Sequence, residues 1–360
     1  MKKNNFFVVA LAALTMFSCS KEEITNEVPS GEKANVTISL HGTETRANTS
    51  TVPHTNDQKV NNYIVFFFTE GGALVSKHYV ADPTAADANK LTSTTAAKKA
   101  YIVANTGALV GGIFKDVNNL SSLEAVSGSL STATAAPHAI STQTGTNVWM
   151  AGKGDVAGAG TSLSANVTMK FLSAKVTVIV NDQRTNNTDA SKIKITNRGI
   201  VLLNAGGKAN FFANDVNQMI QTNYFNGDVS YPNPANNTSA TFLSEAYTAN
   251  GAYFYAFGNS SEAMPTILAI KADREANGAA ATSVYYPVAF SATDAGASDA
   301  SKADFIPGNS YTVTLTLKGD VAGGGGGGTI DPEEPLVNAD ITVNITQALW
   351  KVVPVGKEFN

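Results

Sequence analysis

The stretch YIVFFFTEGGALVSKHYV, residues 63–80, sets two apolar runs on either side of Glu70-Gly71-Gly72. Runs rich in Ile, Val, Phe and Tyr around a glycine turn predict an antiparallel β-hairpin. The same signal recurs outward along the chain, in KAYIVANTG (99–107), NVWMAG (147–152), VTMKFLSAKVTVIV (167–180) and KIKITNRGIVLLN (192–204). It continues in GAYFYAFGN (251–259), TILAIKA (266–272), SVYYPVAF (283–290) and SYTVTLTLKG (310–319). Polar loops such as NDQRTNNTDAS lie between these runs. Helical periodicity is sparse, and residues 117–130, around Leu120, Leu123 and Val126, are the best candidate for a short helix. Many short strands without βαβ alternation predict an all-β chain built of β-sandwiches. The length exceeds one ordinary sandwich, so two in tandem are expected, at 47–166 and 167–319, divided in or after the glycine-rich AGKGDVAGAGTSLSA.

The two ends differ from this middle. Lys2 and Lys3 precede an apolar core from Phe6 to Phe17, which is too short to span a bilayer and reads as a secretory signal. Cys19 is the single cysteine, so neither a disulfide framework nor a cysteine-based zinc site is available. Residues 20–33, SKEEITNEVPSGEK, are charged and aperiodic and suit a tether. At the other end, residues 320–360 open with DVAGGGGGGTIDPEEP, a flexible linker, and return to a strand pattern in ADITVNITQALWKVVPVGKEFN. Ile341, Val343, Ile345 and Leu349 share one parity; Trp350 and Val352 take the other, which predicts a bulge near Ala348.

Catalytic patterns are missing. The histidines, His41, His54, His78 and His138, are scattered, read as surface or loop residues, and form no metal-ligand spacing. No nucleophile elbow, calcium loop or paired glycosidase carboxylates can be read. GKGDVAGAG lacks the lysine-hydroxyl end of a phosphate loop. The net charge is −4 and no basic block points to nucleic acid. No enzyme and no cofactor are expected.

Residues 34–40, ANVTISL, alternate like a strand with Val36, Ile38 and Leu40 on one face. Ile341, Val343 and Ile345 repeat that pattern, with Thr and Asn or Ser between, so the two segments could fill the same groove. Six residues past Leu40 comes Arg46, the first of four arginines, in a loop of small polar residues open to a protease. The linker before the second segment, about 20 residues, has an r.m.s. reach of roughly 25 Å and an extended limit of about 65 Å. If a cut after Arg46 released the first segment, the open groove would be an aggregation template unless filled. A tail from another copy could fill it, and such a heterologous contact repeats into an open filament.

Met16-Phe17-Ser18-Cys19 resembles a bacterial lipoprotein signal, departing from it where leucine is usual. This signal, the strand ending at ETRA, the segments YIVFFFTEGGALV, YIVANTG, VWMAGKG, VTMKFLSAKVTV and YTVTLTLKG, and the detached C-terminal strand together resemble the major fimbrial subunits of Bacteroidales, the type V pilins or fimbrillins. The resemblance implies two transthyretin-like sandwiches in tandem plus a C-terminal donor-strand tail. It implies a signal peptide 1–19 with lipidation at Cys19, a propeptide 20–46, and cleavage of the Arg46–Ala47 bond by an arginine-specific or trypsin-like protease. Val36, Ile38 and Leu40 would be displaced, and Ile341, Val343, Ile345, Leu349, Trp350 and Val352 would form the donor strand. The implied role is a shaft subunit at the cell surface, its precursor anchored in outer-membrane lipid through Cys19, supporting adhesion and biofilm formation. Its partners would be other copies of itself and anchor and tip subunits. A fimbrial anchor or tip adhesin, or a glycan-binding surface lipoprotein, is the alternative; YFYAF and VYYPVAF favour strands with one buried face over a sugar-binding surface.

Overall fold

The computed structural model describes residues 31–42, 59–129, 148–182, 193–206, 208–212, 229–232, 239–246, 252–259, 265–276, 280, 282–290, 305–317 and 341–349. The first half contributes β1 (Lys33–Gly42), β2 (Tyr63–Phe68), β3 (Leu74–Val80), β4 (Lys90–Thr94), β5 (Lys99–Ala104), α1 (Leu120–Glu124), β6 (Ser127–Ser129), β7 (Met150–Ala159) and β8 (Ser162–Phe171). The second contributes β9 (Ser173–Asp182), β10 (Ile193–Leu203), β11 (Lys208–Asn210), β12 (Val229–Pro232), β13 (Ser239–Ala246) and β14 (Ala252–Phe257). It ends with β15 (Thr266–Ala276), β16 (Thr282–Phe290), β17 (Asn309–Leu317) and β18 (Ile341–Leu349). Among the described residues the chain is all-β apart from one short helix, which Asn119 caps by accepting from the Ser122 backbone N–H.

The first seven-stranded sheet runs β3-β2-β5-β7-β8-β1-β4. It curls until its two edge strands meet, where the hydroxyls of Ser76 in β3 and Ser93 in β4 lie 2.8 Å apart. β2 and β3 form the expected hairpin. β2 is buried on both faces. Tyr63, Val65 and Phe67 point into the curled sheet. Ile64, Phe66 and Phe68 point outward into a second core. This double burial is why YIVFFF is apolar without alternation.

The chain leaves the first sheet at Leu172, whose N–H donates to the Trp149 carbonyl at 3.0 Å. The segment 167–180, read above as one strand, is therefore two, and the expected division after residue 166 falls within β8. Beyond it lie a five-stranded sheet, β12-β13-β10-β15-β16, and a four-stranded one, β14-β9-β17-β18. Leu268 and Phe290 of the former share a buried cluster with Val176, Tyr311 and Val313 of the latter, which makes a sandwich.

That cluster also takes in the outward face of β2, so the two halves are joined by apolar packing. Trp149 and Phe211 are 5.1 Å apart between ring centroids, Phe114 and Phe211 4.9 Å, and Tyr101 and Phe212 5.1 Å. β6 and β11 add a two-stranded clip across the same junction. Gly128 in β6 lies under Trp149, and a Cβ there would come within 1.9 Å of the indole. Lys77, buried in β3, donates to the carbonyls of Lys115 and Val117 at 3.0 and 3.1 Å, pinning that loop against the sheet.

Two readings are corrected. The glycine-rich segment after Trp149 is β7, inside the first sheet. A Cβ at Gly154 would meet the Asn166 carbonyl at 2.2 Å, so glycine is there because β8 crosses so closely. His78 is 2% exposed. It lies in β3 beside Ser76 and edge-on to Phe67, because β3 is also buried on both faces.

Candidate functional site

The candidate site is the slot that β1 occupies. β1 is an internal strand, parallel to β8 from Asn35↔Ser162 to Gly42↔Met169. On its other side it is antiparallel to β4, from Lys33↔Thr94 to Thr37↔Lys90. Its alternation is resolved in space: Ala34, Val36, Ile38 and Leu40 are 1, 0, 2 and 6% exposed, while Lys33, Asn35 and Thr37 face outward. The four inward residues share their core with Tyr63, Val65 and Phe67 of β2 and Val167 and Met169 of β8. Burial of Val36, Ile38 and Leu40 contributes roughly 1.5–3 kcal/mol each, so the slot is a strong site for any strand carrying three such side chains.

β4 depends on β1. Among the described residues its one strand partner is β1, since it lies at the sheet's end. Glu32 and Thr95 close the pair with hydrogen bonds in both directions, 2.9 and 3.1 Å. Apart from β1, β4 is tied by the Ser76–Ser93 contact and by the Tyr63 hydroxyl, which donates to the Ala88 carbonyl at 3.0 Å. Burial raises the pKa of Tyr63 far above its usual value, so the phenol stays a neutral donor. These ties do not depend on β1, and would hold a wall for the slot if β1 were removed. In a subunit freed of β1, Tyr63→Phe with Ser93→Ala will speed hydrogen exchange at Lys90–Thr94 by on the order of tenfold or more, since both hydrogen bonds are lost and the buried Ala88 carbonyl loses its donor, together about 1–3 kcal/mol. In the intact chain, where the β1 ladder holds β4, the same pair of substitutions will change exchange far less.

The tail strand β18 is found elsewhere. It forms the edge of the four-stranded sheet, antiparallel to β17 with Leu317↔Ile341, Leu315↔Val343, Val313↔Ile345 and Asn309↔Leu349. The pairing passes Ala348 without the expected shift, so no bulge occurs within the strand. Within one chain, then, the two matching segments occupy slots in different sheets. Cys19, Arg46, Ala47, Trp350 and Val352 lie outside the described residues. Among the described residues no group of three His, Cys, Asp or Glu could hold a metal, and no helix is long and apolar enough to cross a membrane.

The slot's geometry does not name a role by itself, and known relatives place the chain. A family model described as the major fimbrial subunit protein (FimA) matches residues 34–196. Another, described as the C-terminal domain of FimA-like major fimbrial subunit proteins, matches residues 173–350. A crystal structure from Bacteroides eggerthii, assigned to cell adhesion, is 40% identical with a TM-score of 0.72, covering 91% of this chain and 98% of that one. The fimbrilin FimA of Porphyromonas gingivalis W83 has the same fold, with a TM-score of 0.63, 20% identity and coverage of 89% and 98%. A Parabacteroides distasonis protein also assigned to cell adhesion shares it at 14% identity and a TM-score of 0.56, over 89% and 100%. No curated protein matches. The chain belongs to the FimA-like major fimbrial subunit family. It is a structural, non-enzymatic component of a cell-surface fimbrium.

Proposed function

We propose that this chain is the shaft subunit of its fimbrium and polymerises by strand exchange. It is exported as a lipoprotein through Cys19, cleaved between Arg46 and Ala47 by an arginine-specific or trypsin-like protease, and loses β1. The tail strand of another copy then fills the slot, and the filament so built supports adhesion and biofilm formation. Anchor and tip subunits would close its two ends.

The observation that carries this reading is the mismatch between what the tail strand has in its own subunit and what the slot offers. Among the described residues β18 has one ladder, to β17, at the edge of its own sheet. In the β1 slot a strand is flanked by β8 and β4 and has two. Exchange therefore adds a ladder and closes an exposed groove, which sets its direction. The connection points the same way. β17 and β18 are antiparallel neighbours that a turn of about 2–5 residues would join, yet residues 318–340 lie between them. That length is superfluous for pairing at home and sufficient to reach a second molecule. Its glycines raise the entropic cost of docking, but the cost grows only as the logarithm of length.

The test is assembly on demand. Purified precursor incubated with a trypsin-like protease will give SDS-resistant ladders as the Arg46–Ala47 bond is cut. Complete cutting at that bond without ladders would overturn the proposal.

A further inference from the structure

We propose that the incoming strand enters the β1 slot in one register, with Ile341, Val343 and Ile345 at the positions of Val36, Ile38 and Leu40. It would run parallel to β8 and antiparallel to β4. The inference rests on the exchange reading above; it takes the direction of β1 for the incoming strand and adds the register and the residues that enforce it.

The two segments match on both faces. Thr37 corresponds to Thr342 and Ser39 to Asn344 on the outward face, and the three inward residues of each segment carry the same total of side-chain carbons. Volume-conserving exchanges are those a packed core tolerates best. Other registers conflict with the slot. A one-residue slip turns the apolar row outward. A two-residue slip in one direction puts Gln347 at the site of Leu40, where the pocket is 6% exposed and an amide would be buried among aliphatic groups. The same slip drives Ile341 into the site of Ala34, which is 1% exposed and sized for a methyl. The opposite two-residue slip withdraws the aliphatic row from the fully buried site of Val36 and pushes Ile345 to that of Gly42, which is partly exposed. In the proposed register Gln347 takes the Gly42 position, where its amide meets water.

The proposed register also fixes neighbours. Thr342 would stand beside Ser164 of β8 and Lys90 of β4, as Thr37 does. Leu349 would reach Phe171, the last residue of β8, so β18 is long enough to cover the strand beyond Met169, where the β1 pairing ends.

Cysteine pairs test this directly, because Cys19 is the only native cysteine and lies outside the cleaved subunit. Thr342→Cys is combined in turn with Ser162→Cys, Ser164→Cys or Asn166→Cys, all on the outward face of β8. Each is assembled with protease and treated with a short bifunctional thiol reagent. A two-residue shift moves a thiol about 6.6 Å along the strand, so Ser164→Cys should give covalent ladders on the order of tenfold stronger than the other two. Dominance of Ser162→Cys or Asn166→Cys would overturn the register while leaving exchange intact. SDS-resistant ladders with no cross-link at any of the three would overturn occupancy of the slot. Cross-links confined within single subunits, with no ladder, would overturn exchange itself.

Discussion

A chain ending at Val321, and so lacking β18, will be cleaved normally and form no SDS-resistant ladder. Added to full-length subunits, it will shorten their filaments at a small fraction of the total. It has the slot and can accept a tail, but it has none to donate, so each copy incorporated stops growth at one end. A second variant keeps the tail at full length. Ile345→Asp leaves the strand's length and backbone unchanged, yet in the slot it would put a carboxylate where Leu40 is 6% exposed. Burying an unpaired charge costs several kcal/mol, and each 1.4 kcal/mol is tenfold in equilibrium, so ladders should fall by at least two orders of magnitude. Normal assembly by either variant would show that the tail does not hold the filament together. Electron microscopy of mixed filaments, scored for length, is the readout.

Arg46→Ala will accumulate as a folded precursor and assemble below detection. Arg46 lies beyond Gly42, the last residue of β1, so the substitution leaves the ladder to β8 and the row from Ala34 to Leu40 untouched. The thermal midpoint should therefore stay within about 1 °C of the wild-type precursor, as expected for a change of a few tenths of a kcal/mol. What changes is escape. Uncut, β1 is tethered to the slot it fills, and an intramolecular strand outcompetes a tail at micromolar concentration by its effective concentration, which is millimolar for short tethers. Arg46→Lys separates the enzymes: a trypsin-like protease will still cut and allow assembly, an arginine-specific one will not. Ladders from the alanine variant at wild-type yield would mean that β1 leaves without cleavage.

Much of this was readable in the chain. The period-two row at 34–40 and the runs around Glu70 became β1 and the β2–β3 hairpin because side-chain burial alone sets those patterns. β4 was missed: KLTST carries a single large aliphatic, Leu91, and its place is fixed by pairing with β1 more than by its own composition. The glycine-rich segment after Trp149 looks like a linker, and only the close passage of β8 shows why a strand there excludes Cβ atoms. His78 and Lys77 are buried because β3 is covered on both faces, which no local period announces. The aromatic junction of Trp149, Phe211 and Phe114 joins residues far apart in sequence, and its meeting point is set by topology. The pairing of β18 with β17 was also illegible, since an edge ladder is made by backbone groups that every sequence supplies.

The most direct measurement is peptide mapping of washed filaments, solubilised and analysed by mass spectrometry. Subunits should begin at Ala47 and retain the tail segment 341–349, and the segment ANVTISLHGTETR, residues 34–46, should be absent. Recovery of that segment in amounts equal to the rest of the chain would mean that β1 never leaves its slot, and that the filament is held together in another way.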